Sequence, residues 1–283
     1  MVSPRLATLA GAGAILTWVS LAVLTRIAAG VPPLEITALS FAVSAVLGLA
    51  MLGARGELTM LRQPGLAWLH GVGGLFGYHA LYFAALGLAP VAEANLLNYT
   101  WPLLIVLLSA VLLGMTLRPL HVAGMVLGAA GCALLLARDA QFGMTGRAVV
   151  GYFFAASAGT VWALYSVLSR KFPHVPTGAI VGFCLATALL AGISHLIFET
   201  PVMPNARAVL AIIAMGVGPV GAAFFLWDIG MKQGDPRLLG TLAYATPVAS
   251  TLLLGVAGYA PMTPELLVAA ALVATGGAIA ALG

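Results

Sequence analysis

The residues of this sequence that could do chemistry are the few polar and ionisable side chains set inside long apolar runs. The densest group is Tyr78, His79 and Tyr82, followed by Asn95, Asn98, Tyr99 and Trp101 just ahead of Pro102. A charge at a bilayer centre costs about 2.5–3.5 kcal/mol on insertion scales, so an ionisable group there calls for a reason. Positions three and four apart share a helix face, so Tyr78 or His79 can line a cavity together with Tyr82. Asn95, Asn98 and Tyr99 can form one polar face in the same way. Two readings compete here. Either these groups face a bound solute, or the histidine is neutral on a backbone carbonyl and the amides tie neighbouring helices together. The density of aromatic and polar residues favours the cavity. Pro102 also frees a carbonyl one turn earlier, near Asn98, and a kink of that kind commonly borders a cavity. Asn98-Tyr99-Thr100 matches a glycosylation sequon but falls inside an apolar run, so it is not read as one.

A second group lies further along the chain. Trp18 and Trp162 sit well inside their runs, unlike Trp68, which reads as an interfacial anchor. Tyr165 and Ser166 follow Trp162, and Trp227, Tyr244 and Pro247 complete the group. Core packing and stacking on a substrate compete equally for the two tryptophans; an aromatic lining would suit an aromatic or other apolar side chain. Asp228 and Lys232 are four apart and predict an ion pair near an interface, the alternative being a gate or a polar anchor for a zwitterion. Glu93 is expected at a helix start in water, and His195 at an interface.

What is absent narrows the classes. No nucleophile–base pair, carboxylate dyad or Cys/His cluster occurs in the apolar runs, so the sequence reads as a non-enzyme that needs no cofactor and no metal. The basic residues are scattered singly, which speaks against nucleic acid. Cys132 and Cys184 both lie in apolar stretches and read as small packing residues. Gly-Val-Gly-Gly at 71–74 follows no strand and opens no dinucleotide fold. Rings of charge, as an ion channel would want, are missing.

The elements that must position these groups follow from composition. With 62% hydrophobic and 7% charged residues, far below the roughly 25% charge of soluble domains, the chain predicts a polytopic membrane protein. Apolar runs of about 18–25 residues are long enough to cross a bilayer, and without water to satisfy the backbone they must be helices. Ten transmembrane helices are expected, at 7–28, 34–53, 66–88, 91–113, 119–136, 148–170, 176–197, 207–232, 236–258 and 264–282. Short connections marked by proline make neighbours antiparallel. With the N-terminus inside, the inner segments hold Arg5, Arg55, Arg62, Arg118, Arg170, Lys171, Lys232 and Arg237, against Arg26, Arg138, Arg147 and Arg207 outside. That bias predicts both termini in the cytoplasm. The first run reads as a retained helix and not as a cleaved signal peptide.

The chain also repeats. Shifted by 145 residues, Tyr99 falls on Tyr244, Pro102 on Pro247, Pro119 on Pro264 and Gly131 on Gly276; shifted by 144, Trp18 falls on Trp162 and Arg26 on Arg170. An odd number of helices in each half turns the second copy upside down. The expectation is two inverted five-helix repeats, 1–140 and 141–283, a recurrent plan of secondary transporters with binding near the midplane.

Trp18, Ala85-Leu86-x-x-Ala89, Pro102 and Gly131 resemble the EamA-type repeat of the drug/metabolite transporter superfamily. Trp162, Gly230-Met231, Gly234-Asp235-Pro236, Pro247 and Gly276 resemble its second copy. Where such repeats often carry a glutamate after the fourth helix, Met115 and Ala260 stand here. Around Tyr78 to Trp101 the similarity is greatest to the branch that exports aromatic amino acids. The resemblance implies export of amino acids across a bacterial inner membrane by alternating access, with a monomer sufficient. A multidrug or other small-metabolite exporter is the alternative. Residues 7–28 lack the acidic residue of the small multidrug members, and no basic pair sits at mid-membrane to meet a phosphate.

Overall fold

The computed structural model describes residues 2–137, 140, 142, 145–259 and 261–283. Arg138, counted above as an outer charge, and Ala260 lie outside the described residues. Described residues form helices and no strands. In chain order the long helices are α1 (Pro4–Ile27), α2 (Pro33–Ala54), α3 (Gly65–Leu88), α4 (Val91–Leu113), α5 (Pro119–Leu136), α6 (Gly146–Lys171), α7 (Thr177–Phe198), α8 (Ala206–Gln233), α9 (Pro236–Val256) and α10 (Pro264–Ala281). Among the described residues nine of these are long and apolar enough to cross a membrane, and α5 is a shorter apolar helix over Pro119–Leu134.

Their ends follow from local chemistry. Proline opens α1, α2, α5, α9 and α10, where a missing N–H costs nothing and the fixed φ suits the first turn. Ser3, Thr145, Asn205, Asp235 and Thr263 accept from backbone N–H groups of the first turn of α1, α6, α8, α9 and α10.

Four helices are interrupted. α1 breaks at Ser20, α4 at Tyr99–Thr100 and α9 at Ala243–Tyr244, the last two just ahead of Pro102 and Pro247. α8 widens to a π-helical turn over Gly218–Ala222, where Pro219 has no N–H to give.

Packing pairs α1 with α8, α3 with α6, α2 with α7, α4 with α9 and α5 with α10. Glycine permits the closest of these approaches. A Cβ built on Gly124 of α5 would lie 2.4 Å from the Gly276 carbonyl oxygen of α10, and one on Gly276 would lie 2.6 Å from that of Gly124. Gly276→Val is therefore expected to force α5 and α10 apart at a cost of about 1–3 kcal/mol. Gly73→Val, with nothing within 4 Å of its Cβ position, serves as the control. Thermal unfolding in detergent should drop for the first and stay put for the second.

One end of the bundle gathers the chain termini. There the Val2 N–H donates to Gln233, the Asp235 N–H to Thr8, and Arg118 to the Gly283 carbonyl. Asp235 sits between α8 and α9. Burial alone would raise its pKa, but the hydrogen bonds and charge of Arg237 outweigh it and hold the carboxyl below the usual range. At the opposite end, Glu199 accepts from the Leu34 and Glu35 N–H groups at the start of α2.

Candidate functional site

Where the interrupted helices meet, α1, α3, α4, α6, α8 and α9 wall a cavity of about 130 Å³. Trp18 and Leu21 come from α1, Tyr78 and His79 from α3, Tyr99 and Trp101 from α4, and Trp162 from α6. Pro219, Val220 and Phe224 come from α8, and Thr246 from α9. Trp162 is the hub of the lining, 5.7 Å from Trp18, 5.3 Å from Tyr78 and 5.9 Å from Phe224 between ring centroids. The breaks shape this wall directly. Trp18 Nε1 donates to the Pro219 carbonyl at 2.9 Å, so the π-helical turn of α8 is held by the tryptophan of α1. His79 Nδ1 lies 2.7 Å from the Leu75 carbonyl, which can only accept, so that nitrogen carries a proton.

Behind the lining stands a polar second layer. Asn98, buried, donates from Nδ2 to the Tyr78 hydroxyl at 3.2 Å, and the Tyr82 hydroxyl donates to Asn95 Oδ1. Tyr78 and Tyr82 stack with an interplanar angle of 4°. These contacts tie α3 to α4, so Tyr82, Asn95 and Asn98 hold the wall while Tyr78, His79, Tyr99 and Trp101 face the cavity. Pro102 and Pro247 are buried just past the two breaks. Tyr244 packs elsewhere, with Val106, Val248 and Val273 in a separate apolar cluster and against the Gly128 position of α5.

Toward the end that carries the termini the cavity is floored. Trp227, one turn beyond Phe224, donates from Nε1 to Ser166 Oγ at 3.0 Å, and Tyr165 is buried beside them. Below this floor Lys232 Nζ lies 2.9 Å from Asp228 Oδ1 and donates to the Val175 carbonyl at 2.9 Å, while Thr177 donates to Asp228 Oδ2 at 2.7 Å. The ion pair thus ties α8 to the segment leading into α7. His70 stacks between Tyr165 and Phe172 at 5.0 and 4.7 Å. The gap here, about 10 Å³, has room for one water at most; the central cavity alone of the two could take a solute.

One carboxylate reading changes. Glu93 does not meet water: it is 2% exposed. His195, in the last turn of α7, is a buried side chain with its Nδ1 2.8 Å from Glu199 and its Nε2 3.6 Å from Glu35, a partner on α2 that sequence spacing could not reveal. Both cysteines are buried and free. Sequence reasoning missed Leu21, Pro219, Val220, Phe224 and Thr246. A signal did exist: the shift of 145 residues that carries Tyr99 onto Tyr244 also carries His79 onto Phe224 and Trp101 onto Thr246.

A bundle of helices long and apolar enough to span a membrane, with four of them interrupted around a cavity, has the plan of a transporter. The chain belongs to the EamA-like transporter family, whose pattern matches it twice, over residues 5–137 and 149–282. It is 54% identical over 278 residues, 98% of this chain and 97% of the other, to the aromatic amino acid exporter YddG of Ancylobacter novellus. The protein of that name from Salmonella typhimurium is 25% identical, with 87% of each chain covered. A crystal structure of a protein 53% identical superposes with a TM-score of 0.94, covering 99% of this chain and 98% of that one.

Proposed function

We propose that the chain exports amino acids, aromatic ones preferred, across the bacterial inner membrane by alternating access through the central cavity. The observation that carries this is the lining: three tryptophans, two tyrosines, a phenylalanine and His79 around about 130 Å³. Such walls gain by stacking on and burying an aromatic side chain, and the relatives named above are aromatic amino acid exporters.

The architecture in this reading is ten transmembrane helices in two inverted halves, 1–140 and 141–283, with both termini cytoplasmic. The helix pairing supports it. An axis exchanging α1 with α6 and α3 with α8 turns the α1–α8 pair into the α3–α6 pair, and leaves α2–α7, α4–α9 and α5–α10 as pairs. Trp18, Tyr78, His79, Tyr82, Asn95, Asn98, Tyr99 and Trp101 form one flank, and Trp162, Tyr165, Ser166 and Trp227 the other. Those facing the cavity touch the solute, and those behind hold them. Asp228 and Lys232 close the end carrying the termini, and Pro102 and Pro247 set the breaks about which the halves flex. No partner beyond the lipid bilayer and the solute is required, and a monomer suffices.

Cells expressing the protein and preloaded with labelled phenylalanine should lose it faster than cells without it. His79→Ala, expressed and extractable in detergent at the normal level, should slow that efflux about tenfold, as for the loss of one hydrogen bond to a charged group. Efflux unaltered by a well-expressed variant would remove His79 from the site.

A further inference from the structure

The second half of the chain sets in the cavity wall a threonine whose hydroxyl no described residue uses. Thr246 lines the cavity and is 7% exposed, and its Oγ1, buried in the wall, has no hydrogen-bond partner among the described residues. Helical threonines elsewhere satisfy that oxygen on the carbonyl four residues back: Thr17 on Gly13, Thr37 on Pro33, Thr241 on Arg237 and Thr251 on Pro247. For Thr246 the residue four back is Leu242, the last before the break in α9, and no such bond forms. Thr187 of α7 is unpartnered too, but it does not line the cavity.

His79, from the first half, supplies the complement. With its Nδ1 proton committed to the Leu75 carbonyl, the neutral ring keeps a lone pair on Nε2. An amino acid carries a donor and an acceptor on one carbon. Its ammonium suits the lone pair; its carboxylate needs a donor, and a hydroxyl free to rotate is one.

We propose that Thr246 determines specificity for the amino-acid main chain, its hydroxyl donating to the α-carboxylate while the aromatic rings take the side chain. This rests on the amino-acid reading of the cavity given above.

The test uses the full chain in proteoliposomes as wild type, Thr246→Val, which keeps the shape without the hydroxyl, and Thr246→Ser, which keeps the hydroxyl. Counterflow of labelled phenylalanine is competed with unlabelled phenylalanine or with phenethylamine, which lacks the carboxylate. In Thr246→Val the half-inhibiting concentration of phenylalanine should rise about tenfold, as for a lost hydrogen bond to a charged group, and that of phenethylamine should not change. Thr246→Ser should stay close to wild type. Where a variant transports too little, quenching of tryptophan fluorescence by the two ligands reads the same ratio. Equal weakening of both ligands, or no change in Thr246→Val, overturns the assignment while leaving amino-acid transport in place. No phenylalanine counterflow by the wild type overturns the amino-acid reading itself and the assignment with it.

Discussion

Asp228→Ala is expected to destabilise the folded protein by about 3–5 kcal/mol, the cost of leaving a buried charge without its partner. Asp228 is 5% exposed and the side chain of Lys232 11%, so the ammonium would lose its counter-charge with little water to replace it. Thr177 would lose its acceptor in the same step. The pair itself is a weaker stabiliser than this figure suggests, because the gain in Coulomb energy is offset by desolvation of both ions. Asp228→Leu combined with Lys232→Met should therefore recover most of the loss. Thermal unfolding in detergent separates the three proteins: the single variant should melt well below wild type and the double variant near it. Function should not recover with stability. The pair ties α8 to the segment before α7 below the floor of the cavity, and an apolar replacement cannot part and re-form in contact with water as a gate must. A double variant that transports like the wild type would show that the pair only stabilises.

Trp162→Ala carries the second large effect. Trp162 is 4% exposed and lies within 6.4 Å, centroid to centroid, of Trp18, Tyr78, Trp101, Tyr165, Phe224 and Trp227. Truncating a buried tryptophan costs about 3–5 kcal/mol where the site cannot collapse. Here the void opens into an existing cavity, so part of that cost is relieved by solvent and the functional loss dominates. Transport of phenylalanine should fall at least about tenfold, since stacked aromatic pairs contribute about 0.5–1.5 kcal/mol each beyond area burial. Transport of threonine, which has no ring to stack, should fall less. Trp162→Phe should keep most of both. Initial rates of labelled phenylalanine and threonine, normalised to reconstituted protein, measure the ratio; equal loss of the two substrates would mark Trp162 as framework and not as binding surface.

Much of this was legible in the sequence because a bilayer leaves the chain few choices. Apolar runs had to be helices, and the observed ends lie within three residues of the expected ones. The helix break ahead of Pro102 followed from the lost N–H, and the repeat carries it to Pro247. The ion pair of Asp228 and Lys232 followed from helical spacing. Trp18, Tyr78, His79, Tyr99, Trp101 and Trp162 stood out because aromatic and polar residues are conspicuous in an aliphatic run.

The reverse explains what was missed. Leu21, Val220 and Phe224 look like any lipid-facing residue until a neighbouring helix is placed. Pro219 and Gly218 carry no polar side chain to single them out, although their effect is a π-helical turn whose carbonyl Trp18 captures. His195 and Glu35 are 160 positions apart in the chain and meet only in the fold. Glu93 has the spacing of a helix-start carboxylate, and tertiary packing buries it. Internal repetition was the unused resource: one shift relates the histidine of one flank to the phenylalanine of the other, and a tryptophan to the cavity threonine.

Counterflow decides whether the chain carries aromatic amino acids. Proteoliposomes containing the purified chain, loaded with unlabelled phenylalanine, are given a trace of labelled phenylalanine outside. Label should accumulate transiently, an accumulation abolished by excess competing aromatic amino acid and absent from empty vesicles. Folded, reconstituted protein that accumulates no label would contradict aromatic amino-acid transport, and the cavity would then have to serve a different solute, with quaternary ammonium drugs the next to try.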